Sequence, residues 1–293
     1  MDNIAQRIER IRADREHGSR WLVGEAIAIL ADLASDTTTS PDEQMQRLYA
    51  AARALGQARP AMAALAGAVA RIMSAAAGGP TAIAQEAQHV RERYDHALED
   101  ITRHARPLLG GTLMTDSVSG TVLDVLVACA AQIVRVIALE GRPRYEGRDT
   151  ALALAQRGIP VTLITDAQAD IFLPQCQAVV VGADSVLASG DVLNKAGTAL
   201  VAWAARGHHV PFYVLCETLK ITPRRWTGDL GQLEEKEAEE VLEQPIAGVT
   251  ARNFYFDRTP ARLVTAIITE DGALNRSEIQ RRASHMKGFP PLS

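Results

Sequence analysis

The sequence predicts an α/β chain in two parts: a helical N-terminal domain over residues 1–106, then a domain over 107–293 built on a parallel sheet. Three observations carry this. Apolar residues recur at helical spacing through the first part, which contains no strand-like run. From Pro107 onward, short apolar runs alternate with helical ones, the pattern of a parallel sheet covered on both faces. The stretch 179–220 shows the repeating unit whole, as strand, acidic loop, helix and strand.

The first part reads as helix after helix. Ile4, Ile8 and Ile11 share one face among charges, and 21–33 is an apolar helical run. Ser40-Pro41 with Glu43 forms a helix start, since serine caps and proline suits a first turn. Arg59-Pro60 breaks that helix and opens the next, and Gly78-Gly79-Pro80 stops it. A long amphipathic helix over 81–106 closes the part.

The second part begins with a short strand at 112–114 and a helix over 120–131. A strand at 133–139, a helix at 149–156, a strand at 161–164 and a short helix at 167–173 follow. The β-branched run at 179–181 ends at Gly182 and delivers Asp184 into a loop. Asn194 and Lys195 are expected to open a helix, and 212–215 to form the next strand, ending near Glu217 and Lys220. The acidic stretch 234–243 reads as a solvated helix face or a mobile loop. Residues 255–260 read as a turn, 263–269 as a strand, and the tail after Gly272 as loosely held. The sheet domain is therefore expected to be Rossmann-like.

Composition narrows the function classes. Apolar residues make up 47 % of the chain, enough for real cores, but only 4 % are aromatic, so Ala, Leu and Val must fill them. A net charge of −4 gives no bulk attraction to nucleic acid or to an anionic membrane. Cys129, Cys176 and Cys216 sit in separate apolar runs and read as buried thiols, without a disulfide framework or a metal site. The charged N-terminus lacks the apolar core of a signal peptide, and no window approaches roughly 18 uninterrupted apolar residues. A cytoplasmic protein without metal or cofactor is expected.

In open α/β sheets, ligands bind beyond the carboxyl ends of the strands. Asp184 lies there and suits an acid or base if burial raises its pKa; the spacing is met equally by a capping aspartate. Asn194-Lys195 before a helix can hold an anion, or can be a capping asparagine beside a solvated lysine. The hydroxyl-rich loop 115–121, with Ser117 and Ser119, suits a phosphate but also reads as an N-cap cluster. It lacks the glycine and lysine spacing of a nucleotide-hydrolysing loop. Arg142 follows another strand end and suits bidentate phosphate contacts, or a surface turn. A His104, Asp116, Ser117 triad lacks the glycine pattern of a nucleophile elbow and is set aside.

Taken in order, these blocks resemble one family. It contains the α, β and δ regulatory subunits of translation initiation factor 2B, methylthioribose-1-phosphate isomerase and ribose-1,5-bisphosphate isomerase. GADSVLASGDVLNKAGT (182–198) is the most specific block, with PFYVLCETLK (211–220), EGRPRYEGRDTA (140–151) and RNFYFDRTPARLVTAIITEDG (252–272) beside it. QARPAMAAL (57–65) and HGSRW (17–21) resemble the family's substrate-contact segments in the helical part.

The resemblance implies an aldose–ketose isomerase of a C1-phosphorylated pentose, such as ribose-1,5-bisphosphate, with Asp184 as the acid. It implies substrate contacts from His17, Gly18, Ser19, Arg20, Arg59, Ser119, Arg142, Asn194, Lys195 and Lys220, and a homodimer or larger homo-oligomer. The family's catalytic cysteine falls on Ser117, a far weaker acid, and the adjacent Asp116 is the substitute that the expectation goes against. His17 stands where the isomerases carry arginine, and Glu146 where the methylthioribose enzyme carries glutamine. The alternative implied is a non-catalytic regulatory protein that binds a sugar phosphate or nucleotide.

Overall fold

The computed structural model describes residues 4–14, 18–60 and 62–285. Five helices come first: α1 (Ile4–Ala13), α2 (Ser19–Ala34), α3 (Pro41–Ala58), α4 (Ala63–Met73) and α5 (Gly79–Ala105). Local chemistry sets their ends. Ser40 accepts a hydrogen bond from the Glu43 N–H at 3.3 Å, Pro41 occupies the first turn of α3, and Asp42 and Glu43 face its positive end. The glycines at 78 and 79 start α5 rather than ending α4, which stops at Met73. Leu22, Ile27 and Leu30 of α2 pack with Leu48, Leu65, Ile72 and Ile83 in a core of aliphatic side chains.

The second part runs β1 (Gly111–Thr115), α6 (Gly120–Ala128), β2 (Ile133–Leu139), α7 (Glu146–Ala155), β3 (Val161–Ile164), α8 (Ala169–Phe172) and β4 (Ala178–Val181). It continues with β5 (Ser185–Val186), β6 (Val192–Lys195), α9 (Thr198–Gly207), β7 (Phe212–Leu215), β8 (Phe256–Thr259), β9 (Ala266–Thr269), β10 (Gly272–Leu274) and α10 (Arg276–His285). Seven strands form one sheet in the order β10-β9-β7-β4-β1-β2-β3, parallel except for the β9–β10 hairpin. All four residues of the central β4 are buried, as its unbroken β-branched run requires. β5, β6 and β8 make a separate antiparallel sheet.

Three expectations need correction. Residues 255–260 are not a turn, because 256–259 pair with β6 along its whole length. The chain after Gly272 is not loose as far as His285: Asn275 and Glu278 cap α10 reciprocally at 2.8 and 3.1 Å, and Ile279 and Ala283 are buried in the sheet core. The acidic stretch 234–243 forms one short 3-10 turn, in which Glu240 accepts from the Tyr255 hydroxyl at 2.6 Å and from Asn253 Nδ2 at 2.9 Å.

The helical layer docks on the strand ends through backbone contacts. Gly67 of α4 lies so close to the short turn Thr218–Lys220 that a Cβ there would stand 2.1 Å from the Leu219 carbonyl oxygen. The Ala63 N–H, the first of α4, donates to the Asp184 carbonyl at 3.2 Å. Arg93 of α5 pairs with Asp271 at 3.0 Å, in the turn between β9 and β10. No helix among the described residues is long and apolar enough to cross a membrane. Gly67→Ala is expected to destabilise the fold by about 1–3 kcal/mol, because backbone rather than a flexible side chain must yield. Denaturant unfolding of the purified variant checks this.

Candidate functional site

β4 and β1 are neighbours in the sheet and run parallel, so their carboxyl ends deliver two aspartates to the same edge. Asp116 follows β1 directly, and Asp184 follows β4 by three residues. The ends sit close: a Cβ on Gly182 would lie 2.6 Å from Ser119 Oγ, so a larger residue where β4 passes the start of α6 would have to displace the Ser119 side chain. Asp184 donates its N–H to the Leu193 carbonyl at 2.9 Å, which ties its loop to β6.

Asp184 is partly buried, and its carboxylate takes no hydrogen bond among the described residues. Burial raises its pKa against the opposing charges of Lys220 and Lys195. Lys220 is 5 % exposed, and its Nζ lies 3.7 Å from Glu217 Oε2. Burial works against that charge, but Glu217 and Asp184 outweigh it and hold the ammonium above its ordinary pKa. Glu217 also accepts from Thr121 Oγ1 at 2.8 Å, and Lys220 and Arg20 help to keep it ionised against the cost of burial.

Asn194 and Lys195 do not open a helix; both lie on β6, and α9 starts three residues later at Thr198. The N-terminus of α9 is also taken. Asp257 on β8 accepts from the N–H groups of Gly197 at 2.8 Å and Ala199 at 3.0 Å, so an internal carboxylate occupies the place assigned to an outside anion. Lys195 is not solvated either: its Nζ pairs with Glu146 Oε1 at 2.8 Å and lies 4.8 Å from the centre of the Tyr255 ring. Glu146 Oε2 is buried without a hydrogen-bond partner.

Asp116 is 3 % exposed. Its Oδ2 lies 3.1 Å from Thr198 Oγ1, which also lies 2.7 Å from the Lys195 carbonyl and 3.0 Å from Asn194 Nδ2. Burial, with Asp166 and Asp257 adding like charge, pushes Asp116 up to about 7. Asp257 is pushed up to about 6 by burial, against the pull of its two backbone donors.

The remaining anticipated residues are spread around this edge. Ser117 adopts a left-handed φ of 64°, its carbonyl accepts from Thr150 Oγ1 at 2.8 Å, and its hydroxyl has no partner among the described residues. Ser119 caps α6, accepting from the Val122 N–H at 3.4 Å. Arg142 is exposed, with its guanidinium 2.7 Å from the Tyr145 hydroxyl, and Asp166 fixes the loop by accepting from the Gly141 and Arg142 N–H groups at 2.8 Å. Gly18 and Ser19 start α2, and Arg20 reaches the Asp95 carbonyl at 3.2 Å. Arg59 turns toward the Arg12 carbonyl at 3.4 Å, so no described contact joins it to Asp184. His17 lies outside the described residues. A cavity of about 780 Å³ lies beyond the 218–220 turn, lined by Arg71, Arg93, Tyr94 and Glu270, and includes none of the anticipated residues.

Sequence reading passed over Asp166, Thr198, Glu217 and Asp257. Asp166 and Glu217 follow the ends of β3 and β7, so the strand-end rule that found Asp184 reaches them too. Asp257 lay in a segment read as a turn, and no local signal marked it. The three cysteines are buried as expected. Cys216 lies near Lys220, but burial drives its thiol far up, so it supplies no thiolate. Among the described residues no acidic, histidine and cysteine cluster could hold a metal ion.

A helical layer docked on the carboxyl edge of a Rossmann-like sheet, with aspartates and buried lysines at that edge, defines the class of protein. The chain belongs to the initiation factor 2 subunit family, whose sequence model matches residues 15–276. It is 33 % identical to ribose 1,5-bisphosphate isomerase of Archaeoglobus fulgidus, over 94 % of this chain and 90 % of that one. It is 38 % identical to methylthioribose-1-phosphate isomerase of Anaeromyxobacter sp. (strain K), over 92 % and 83 %. Its fold matches the translation initiation factor eIF-2B of Pyrococcus horikoshii with a TM-score of 0.78 and 28 % identity, over 94 % and 97 % of the two chains.

Two consequences can be measured. Lys220→Met leaves Glu217 and Asp184 without their buried counter-charge, and a loss of roughly 3–5 kcal/mol in unfolding free energy is expected. Asp116 has a folded pKa above its ordinary 3.8. Its contribution is therefore complete below that value and is lost as pH rises through about 7. The stability difference between Asp116→Asn and the parent should grow in the variant's favour from pH 5 to 8; a pH-independent difference in denaturation midpoints contradicts this.

Proposed function

We propose that this chain is an aldose–ketose isomerase acting on a C1-phosphorylated pentose of the ribose-1,5-bisphosphate kind. The observation that carries the reading is Asp184, a partly buried carboxyl with a raised pKa beside Lys220 and Lys195 at the carboxyl edge of the sheet. Phosphate on C1 blocks ordinary ring opening at the anomeric oxygen. An acid must protonate the ring oxygen instead, and a carboxyl whose pKa burial raises suits that task. Relatives named ribose 1,5-bisphosphate isomerase and methylthioribose-1-phosphate isomerase, matched over 90 % and 83 % of their length, support the substrate class.

Charge placement favours a bisphosphate over an uncharged C5 substituent. Arg142 and Arg20 are exposed, and each could exchange its present hydrogen bond, to the Tyr145 hydroxyl and the Asp95 carbonyl, for phosphate oxygens. Lys195 is already neutralised by Glu146, so this pair suits a sugar hydroxyl better than a dianion. The functional unit is proposed to be a homodimer in the cytoplasm.

A second reading rests on Ser117. Its hydroxyl has no base beside it among the described residues, as a non-catalytic sugar-phosphate or nucleotide sensor would allow. Two measurements separate the readings. Ribose-1,5-bisphosphate at about a hundred times its Kd should stabilise the protein by about 2.7 kcal/mol, and Asn194→Ala with Lys195→Ala should abolish that gain. Asp184→Asn should keep the stabilisation and lose ketose formation by about 10²–10⁴-fold. Tight binding with no ketose from the parent protein leaves the sensor, and no stabilisation by any sugar phosphate or nucleotide removes both.

A further inference from the structure

We propose that Asp116 is the second acid/base of this site, moving the proton between C2 and C1, and that Ser117 takes no part in the chemistry. The inference rests on the isomerase reading above. Its geometry is that of the two adjacent strands: Asp116 and Asp184 leave the carboxyl ends of β1 and β4, and β6 links them, with Leu193 bound to the Asp184 loop and Asn194 bound to Thr198.

The hydrogen bonds around Thr198 fit both protonation states of Asp116. The hydroxyl has one proton and two acceptors within reach, the Lys195 carbonyl at 2.7 Å and Asp116 Oδ2 at 3.1 Å. Asn194 Nδ2 donates to the same oxygen at 3.0 Å. When Asp116 is neutral, it donates to Thr198, whose own proton goes to the Lys195 carbonyl. When Asp116 is ionised, the Thr198 proton swings to it. A single hydroxyl therefore serves the carboxyl before and after proton transfer, without moving the backbone. Asp116 Oδ1 makes no hydrogen bond among the described residues and is left for a reacting atom.

The charges facing Asp116 place its titration in the useful range. Burial raises it, Asp166 from the β3 end and Asp257 from β8 add to that, and Lys195 on β6 opposes; the result is a group near 7. Lys195 itself is paired with Glu146 at 2.8 Å. Ser117 has none of this support. Its hydroxyl lacks any described partner, and its backbone is fixed by Thr150 instead.

The steps balance without a co-reactant. Ionised Asp116 takes the proton from C2. The C–H electron pair becomes the C1–C2 double bond, the bond from C1 to the ring oxygen breaks, and the ring oxygen takes the proton of Asp184. Asp116 then returns its proton to C1, and the enol hydroxyl on C2 gives its proton to Asp184. The product is the open-chain ketose with both acids restored.

The test uses the full chain with ribose-1,5-bisphosphate as substrate. Asp116→Asn keeps a donor toward Thr198, so thermal stabilisation by the substrate should stay within twofold of the parent's while kcat falls at least a hundredfold. Ser117→Ala should keep kcat within threefold. Thr198→Val should shift the limb of the kcat–pH profile near 7, and Thr198→Ser should restore it. Equal losses in Ser117→Ala and Asp116→Asn, or an Asp116→Asn variant within tenfold of the parent, overturn the assignment and leave the isomerase reading standing. A parent protein that binds the substrate and yields no ketose overturns both.

Discussion

Lys220 keeps its charge where burial alone would remove it, because Glu217 and Asp184 flank it. That balance is the constraint around which the strand edge is built. A buried ammonium with one carboxylate is close to neutral in its effect on stability; with two it fixes which way the local field points. The turn that carries Lys220 has no freedom to relax, since α4 presses on it at Gly67. The same turn is held from the other side by Glu270, which accepts from the Thr218 N–H at 2.9 Å. Packing at Gly67 and hydrogen bonds within the turn, including that of the Lys220 N–H to the Glu217 carbonyl at 3.0 Å, together set the position of this charge.

The parallel sheet was legible because buried parallel strands are apolar runs rich in β-branched residues, and 133–139 and 179–181 stand out on those terms, while 212–215 is a short apolar run. The small antiparallel sheet was not. β5 has two residues, β8 reads Phe-Asp-Arg-Thr with no apolar alternation, and the pairing of β6 with β8 joins segments more than sixty positions apart. Missing β8 had a direct cost at the site. With β6 unpaired on paper, Asn194-Lys195 looked like the start of the next helix, although the true start is Thr198 after a glycine with φ of 115°. The C-terminal helix was passed over for a related reason: among its described side chains Ile279 and Ala283 are the buried ones, too thin a stripe to separate from a polar tail.

The sequence places candidate residues at strand ends without showing what surrounds them. Strand ends identify Asp184, Arg142 and Lys220 from sequence, but they do not say which charges neutralise one another. The pairing of Lys195 with Glu146 crosses forty-nine positions, and the capping of α9 by Asp257 crosses about sixty. Both change the chemistry assigned to the edge, from a cationic cradle at a helix start to a lysine–glutamate pair and a helix start capped from within. Long-range pairing of this sort has no local signature, because each partner alone is an ordinary surface residue type.

The hydrogen bond from the Ala63 N–H to the Asp184 carbonyl has a bearing on how such a protein can change over time. A helix's first donor is one of the groups its own ladder leaves unmet, and here the loop bearing the acid satisfies it. Helix α4 and the acid loop are therefore inherited as one object. Lengthening or shortening the connection before Ala63 would not merely alter a surface loop; it would drag Asp184 along the sheet edge. New substrates are more readily reached by exchanging side chains such as Glu146 or Arg142, whose loops carry no such tie to the helical layer.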